Sequence, residues 1–141
     1  MFRFQLVSLS GKQFDDEVTE VILPTLDGEI GVLQGHMPLF SVVKTGAIAV
    51  RRQTKDSDSQ REFFATNGGV IEVNDNVLRV LVDEADHADD INEAEVQKAL
   101  ERAQKLQSEA KDQVSLEHAQ SMVDRQSVRL QVAGLKRRTK R

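Results

Sequence analysis

The sequence predicts a β-sandwich or barrel of many short strands, followed by an antiparallel α-helical hairpin. Three observations carry this. Apolar residues alternate with polar ones from Phe2 to Ala85, the period of strands with one buried face. Glycine, asparagine and aspartate clusters interrupt that alternation at short intervals. Near Asp86 the apolar period lengthens to three and four residues, the spacing of an amphipathic helix. Residues 1–86 are thus expected to form the sandwich and 87–141 the hairpin with a basic tail.

In chain order, Phe2, Phe4 and Leu6 share one side of the first strand. The same alternation recurs at Val21 and Leu23, Ile30 and Val32, Ile48 and Val50, Ile71 and Val73, and Leu78, Val80 and Val82. Between these runs stand Ser10-Gly11, Asp27-Gly28, Thr45-Gly46, the polar stretch 54–59, Asn67-Gly68-Gly69 and Asn74-Asp75-Asn76. Short strands so spaced indicate a closed or two-layered β structure.

The first helix is expected to start at Asn92, an N-cap residue, with Glu95 completing a variant capping box and Val96 stapling back onto Ile91. Val96, Ala99, Leu100, Ala103, Leu106 and Ala110 form its apolar stripe. A polar break at 111–113 separates it from a second stripe of Leu116, Ala119, Val123, Leu130 and Ala133, interrupted by Gln126. The short connection favours an antiparallel pair. Its alanine-rich seam buries little, so the hairpin needs a neighbour, either the sandwich or another protein.

The 141 residues allow one ordinary domain, or one compact domain of about 85 residues with a dependent appendage. Hydrophobic residues at 39% and charged residues at 30% match a globular protein, and no apolar run approaches the length of a spanning helix. Without cysteine there is no disulfide framework or thiol nucleophile, and a reducing compartment is the simpler setting. The N-terminus lacks the pattern of a leader and is expected to be the mature start. The net charge of −4 is unevenly spread: after Asp124 there is no acid, while Arg125, Arg129, Lys136, Arg137, Arg138, Lys140 and Arg141 follow. That end either seeks an acidic partner or is a solvated tail.

Enzymatic motifs are absent. There is no phosphate loop and no dinucleotide fingerprint, and Gly68-Gly69 reads as a turn needing positive φ. His36, His87 and His118 lack zinc-binding spacing. The run Asp83–Asp90, "DEADHADD", places His87 among five carboxylates but lacks the spacing of a calcium loop, and reads as a solvated linker. An acidic sandwich with neither tyrosine nor tryptophan argues against nucleic acid. No cofactor and no metal are expected.

The segments "FQLVSLSGKQF", "VILPTLDGEIGVLQGHMPLFSVV", "GAIAVR", "GGVIEV" and the helical tail ending "RLQVAGL", in this order, resemble the epsilon subunit of the bacterial rotary ATP synthase over nearly the whole chain. The resemblance implies a ten-stranded sandwich and a helical hairpin on the rotating central stalk. It implies partners in the gamma subunit, the c-ring and, transiently through the helices, the alpha/beta catalytic head. Coupling of proton-driven rotation to ATP synthesis and restraint of ATP hydrolysis would follow, at the cytoplasmic face of a bacterial inner membrane and without bilayer insertion.

Read physically, Asp27-Gly28 makes a tight turn exposing Glu29, Gly35 bends the chain before His36, and Pro38 fixes the path into the next strand at Leu39. These seven residues are expected at one end of the sandwich as its docking edge. By the resemblance Glu29 contacts the c-ring, and His36, Pro38 and Leu39 shape the contact with gamma. Arg125, Arg129, Lys136, Arg137 and Arg138 become the inhibitory basic helix, directed at an acidic loop of the catalytic beta subunit. The chain departs from ATP-binding relatives at Asn92 and Glu95, where an acid becomes an amide and an arginine an acid; weak or absent ATP binding is expected. Gln34 also replaces a frequent proline. The rival reading is a free-standing β-sandwich ligand-binding module, which would need a deep pocket lined by aromatics.

Overall fold

The computed structural model describes residues 1–139, with side chains through Lys136. Ten strands precede two helices: β1 (Phe2–Ser8), β2 (Gly11–Val18), β3 (Glu20–Thr25), β4 (Gly28–Leu33), β5 (Leu39–Val43), β6 (Gly46–Arg51), β7 (Glu62–Thr66), β8 (Gly69–Asn74), β9 (Val77–Val82), β10 (Ala85–His87), α1 (Glu93–Glu109) and α2 (Gln113–Thr139). The strands form two layers, β10-β7-β6-β3-β4 and β5-β8-β9-β1-β2, joined where Thr25 pairs with Val43. All ladders are antiparallel except β1 with β9.

The core between the layers is the set that alternation marked. Phe4, Leu6, Val21, Leu23, Val32, Ile48, Val50, Ile71, Leu78 and Val80 are essentially inaccessible. Phe14 and Phe64 add an edge-to-face ring pair with centroids 6.0 Å apart. The Asn67-Gly68-Gly69 corner serves two needs. Gly68 has φ +113, as a positive-φ turn requires. Gly69 does not; a Cβ there would lie 2.0 Å from the Leu81 carbonyl oxygen, so close approach of β9 demands glycine.

The acidic run is not a solvated linker. Its Ala85, Asp86 and His87 form β10, paired with Thr66, Ala65 and Phe64 of β7, and Ala88–Asp90 make a 3-10 turn. Strand structure therefore continues through His87, across residue 86. The His87 Nδ1 accepts the Asp89 N–H at 3.0 Å, which leaves the Nε2 proton to face Glu62 Oε1 at 3.3 Å. His87 caps a turn.

α1 starts as its sequence indicates, with the Asn92 side chain accepting the Glu95 N–H at 3.1 Å. Val96, Leu100 and Ala103 are buried, whereas Leu106, placed on the same stripe, is half exposed. The polar break contains a second cap: Asp112 accepts the Ser115 N–H at 2.7 Å. α2 is buried on two sides. Ala119 is buried in the hairpin, and Val128 and Val132 pack on Ala65 and Ala88 of the sandwich edge together with Ile91 and Phe63. The hairpin lies folded against the sandwich.

Candidate functional site

The turn at Asp27-Gly28 closes the β3–β4 hairpin through Leu26 and Asp27. The buried Thr25 ties it: its Oγ donates to the Gly28 carbonyl at 2.6 Å and accepts the Asp27 N–H at 3.3 Å. Gly28 holds φ +114 with open space around its missing Cβ. Glu29 follows as an exposed strand residue, opposite Pro24. Leu26 beside it is exposed, as is Leu9 in the β1–β2 turn at the same end.

Gly35, His36, Pro38 and Leu39 are not at that end. Thr25 pairs with Gly28, and Glu20 with Leu33, so the turn and the 34–38 loop sit at opposite ends of β4, about 16 Å apart along the strand. A hairpin strand must carry its two connections to opposite ends, and this overturns the single docking edge expected from the sequence. The loop is fixed to the β8–β9 turn and the N-terminus. Asn76 accepts the Gly35 N–H at 3.2 Å and donates to the Met1 carbonyl at 3.1 Å, while Gln34 accepts from the Met1 amino group. His36 donates from Nδ1 to the Met37 carbonyl at 2.7 Å. Met37 and Pro38 are exposed, but Leu39 packs partly onto the core.

A surface that the sequence reading missed joins the two ends. Val42, Val70 and Leu81 are exposed and lie side by side, because Val42 pairs with Val70 and Val70 with Leu81 across β5, β8 and β9. Val7 of β1 extends the row, and Phe40, 78% exposed, stands on the same face two residues before Val42. The signal was present in part: Val70 on β8 and Leu81 on β9 are apolar at positions that alternate with the core, although Glu72 and Arg79 on the same face are charged.

On α2, Arg125 pairs with Glu84, Arg129 with Asp86 at 3.1 Å, and Lys136 with Asp89. The basic face is thus joined to the acidic run. The side chains of Arg137 and Arg138, part of the expected basic site, lie outside the described residues. Beside these pairs an open depression of about 620 Å³ is lined by Leu9, Ser10, Asn67 and the acidic Asp83, Glu84 and Asp86, without an aromatic side chain. Among the described residues no cluster of three histidine or carboxylate side chains has the placement to hold a metal ion. No described helix is long and apolar enough to cross a membrane.

These surfaces sit on a ten-stranded sandwich that carries a helical hairpin, and the sandwich matches the family described as ATP synthase, Delta/Epsilon chain, beta-sandwich domain, over residues 1–88. Relatives extend the match through the helices. The ATP synthase epsilon chain of Xanthomonas campestris pv. campestris (strain B100) is 39% identical across 97% of this chain and 95% of its own. That of Sulfurihydrogenibium sp. (strain YO3AOP1) is 31% identical across 96% and 99%. The chain belongs to the ATP synthase epsilon chain family. Two solved structures share the fold. One is a chain of the Euglena gracilis mitochondrial ATP synthase OSCP/F1/c-ring structure, with TM-score 0.76, 23% identity, and coverage of 94% of this chain and 79% of that one. The other, from the Tetrahymena thermophila mitochondrial ATP synthase central stalk/c-ring, has TM-score 0.59, 14% identity, and coverage of 93% and 95%.

Proposed function

We propose that this chain is a non-catalytic central-stalk subunit that couples c-ring rotation to ATP synthesis through gamma and restrains ATP hydrolysis through its hairpin. The observation that carries the reading is relatedness to epsilon chains across sandwich and helices together, at 39% identity over 97% of the chain. Each surface has a role in this reading. The Asp27-Gly28-Glu29 turn is the c-ring contact: the tied hairpin projects a carboxylate and a leucine with little freedom to rearrange. The opposite loop, with His36, Pro38 and Leu39, and the row Phe40, Val42, Val70 and Leu81 are the gamma contact. An exposed apolar row of this kind marks a protein interface.

The basic residues of α2, including Arg137 and Arg138, are directed at an acidic loop of the catalytic head when the hairpin leaves the sandwich. The subunit is peripheral, on the cytoplasmic face of a bacterial inner membrane, and the transported ion is the proton. The rival ligand-binding module finds no support in the depression beside Glu84, which is open and lacks an aromatic platform.

Cysteines placed at Glu29 and in the polar loop of the c-ring should crosslink under mild oxidation in membranes that retain the assembled synthase. Failure at every position from Leu26 to Glu29 would mean this end faces away from the ring.

A further inference from the structure

The ion pairs between α2 and the sandwich edge run in strict order. Arg125, Arg129 and Lys136 are four and seven residues apart, so they follow one ridge of the helix, flanking Val132. Facing them, Glu84 immediately precedes β10, Asp86 lies two residues on within it, and Asp89 follows in the 3-10 turn. The pairing ascends with both sequences: Glu84 with Arg125, Asp86 with Arg129, Asp89 with Lys136.

Two physical facts make this ladder consequential. The apolar patch beneath α2 is thin, built on Val132, Ala88 and Ala65 with partly buried neighbours, and a thin patch specifies the axial register of a helix poorly. Ordered charges specify it. The run Asp83–Asp90 also holds five carboxylates in eight residues, whose mutual repulsion is relieved by cations brought from α2. The pairs remain partly exposed, from 40% and 44% for the side chains of Arg125 and Glu84 to 25% and 36% for Arg129 and Asp86, so each is individually weak and screened by salt.

We infer that the acidic strand and turn Glu84, Asp86 and Asp89 are a latch that holds the hairpin on the sandwich by engaging the same three cations proposed above for an acidic partner. Docking and engagement of the partner then compete for one set of charges. A partner must replace three existing ion pairs, and the docked fraction falls as ionic strength rises. The competition rests on the proposed role of the hairpin; the latch does not.

The latch is tested on the full-length isolated chain by hydrogen–deuterium exchange. Reversing the sandwich side with Glu84→Lys and Asp86→Lys should speed exchange of the α2 amides at 128–133 by about tenfold or more, since loss of one exposed pair alone shifts the equilibrium about 1.4- to 5-fold. Amides of the core strands around Leu6, Ile71 and Val80 should not change. Adding Arg125→Glu and Arg129→Glu to that chain should restore α2 protection to within about twofold. Unchanged α2 exchange in the reversed chain, or no restoration by the second reversal, would overturn the latch. If the core amides also lose protection, the milder Glu84→Gln, Asp86→Asn chain decides: α2 exchange about two- to fivefold faster supports the latch, and no change overturns it. In the assembled synthase the reversed chain should hydrolyse ATP more slowly, its hairpin being released. Faster α2 exchange without slower hydrolysis would keep the latch and remove the inhibitory role.

Discussion

Glu29 and Gly28 illustrate how differently neighbouring residues hold the contact surface proposed for this turn. Glu29 is exposed on β4, and an exposed ion pair contributes about 0.2–1 kcal/mol. Glu29→Ala should therefore weaken coupling of proton flow to ATP synthesis only modestly, read as ATP synthesis driven by an imposed proton gradient. Gly28 has φ +114 and free space about its α-carbon, so Gly28→Val introduces no clash but forces a β-branched residue into a conformation costing about 1–3 kcal/mol. The turn should refold and misplace Glu29, with a larger coupling defect than Glu29→Ala; equal defects would show that the turn geometry is unimportant. Arg125 and Arg129 support a negative prediction. With carboxylates already at both guanidinium groups and Glu95 at the start of α1, calorimetry on the isolated chain should show weak or no ATP binding, and tight saturable binding would overturn this.

At the scale of elements, what the sequence concealed has physical causes. The strands with clean alternation, β1, β3, β4, β6, β8 and β9, were legible. β2 was not, because as an edge strand it buries only Phe14 and Val18 and otherwise shows charge to solvent. β10 is three residues inside an acidic run, and its pairing with β7 depends on contacts distant in sequence. α2 hid its sandwich-facing Val128 and Val132 because a helix buried on two sides has no single stripe. The turn at Asp27-Gly28 was legible from composition. That its companion loop lies at the other end of β4 required the register.

The helix starts are testable. Asn92→Ala removes the side-chain acceptor for the Glu95 N–H and should cost about 1 kcal/mol of helix stability, seen as faster exchange in the first turn of α1. Asp112 is held below its usual pKa by the Ser115 backbone N–H and hydroxyl. A carboxylate whose folded pKa is lowered stabilises the fold above its unfolded pKa and loses that contribution as pH falls. The start of α2 should therefore loosen on acidification below about 4. Asp15 behaves likewise on the sandwich: hydrogen bonding by Arg3, then Lys12, lowers it to about 2, so its contribution fades between its ordinary 3.8 and about 2.

For the whole molecule, the two parts differ in independence. The core lies between the two strand layers, whereas the hairpin has a thin seam and borrows Ala65, Ala88 and Phe63 from the sandwich edge. Residues 1–90, keeping β10 and its turn, should unfold cooperatively alone, and the isolated helices should be poorly ordered. Absence of a cooperative transition in the shortened chain would place the boundary elsewhere. The docking proposed for the sandwich and the restraint proposed for the hairpin are therefore separable by deletion. The most direct measurement is the ATP hydrolysis rate of the assembled synthase when residues 115–141 are deleted. The rate should rise with the complex intact, as the restraint proposed for the basic helix requires; an unchanged rate in a fully assembled complex would contradict the inhibitory role proposed for the hairpin.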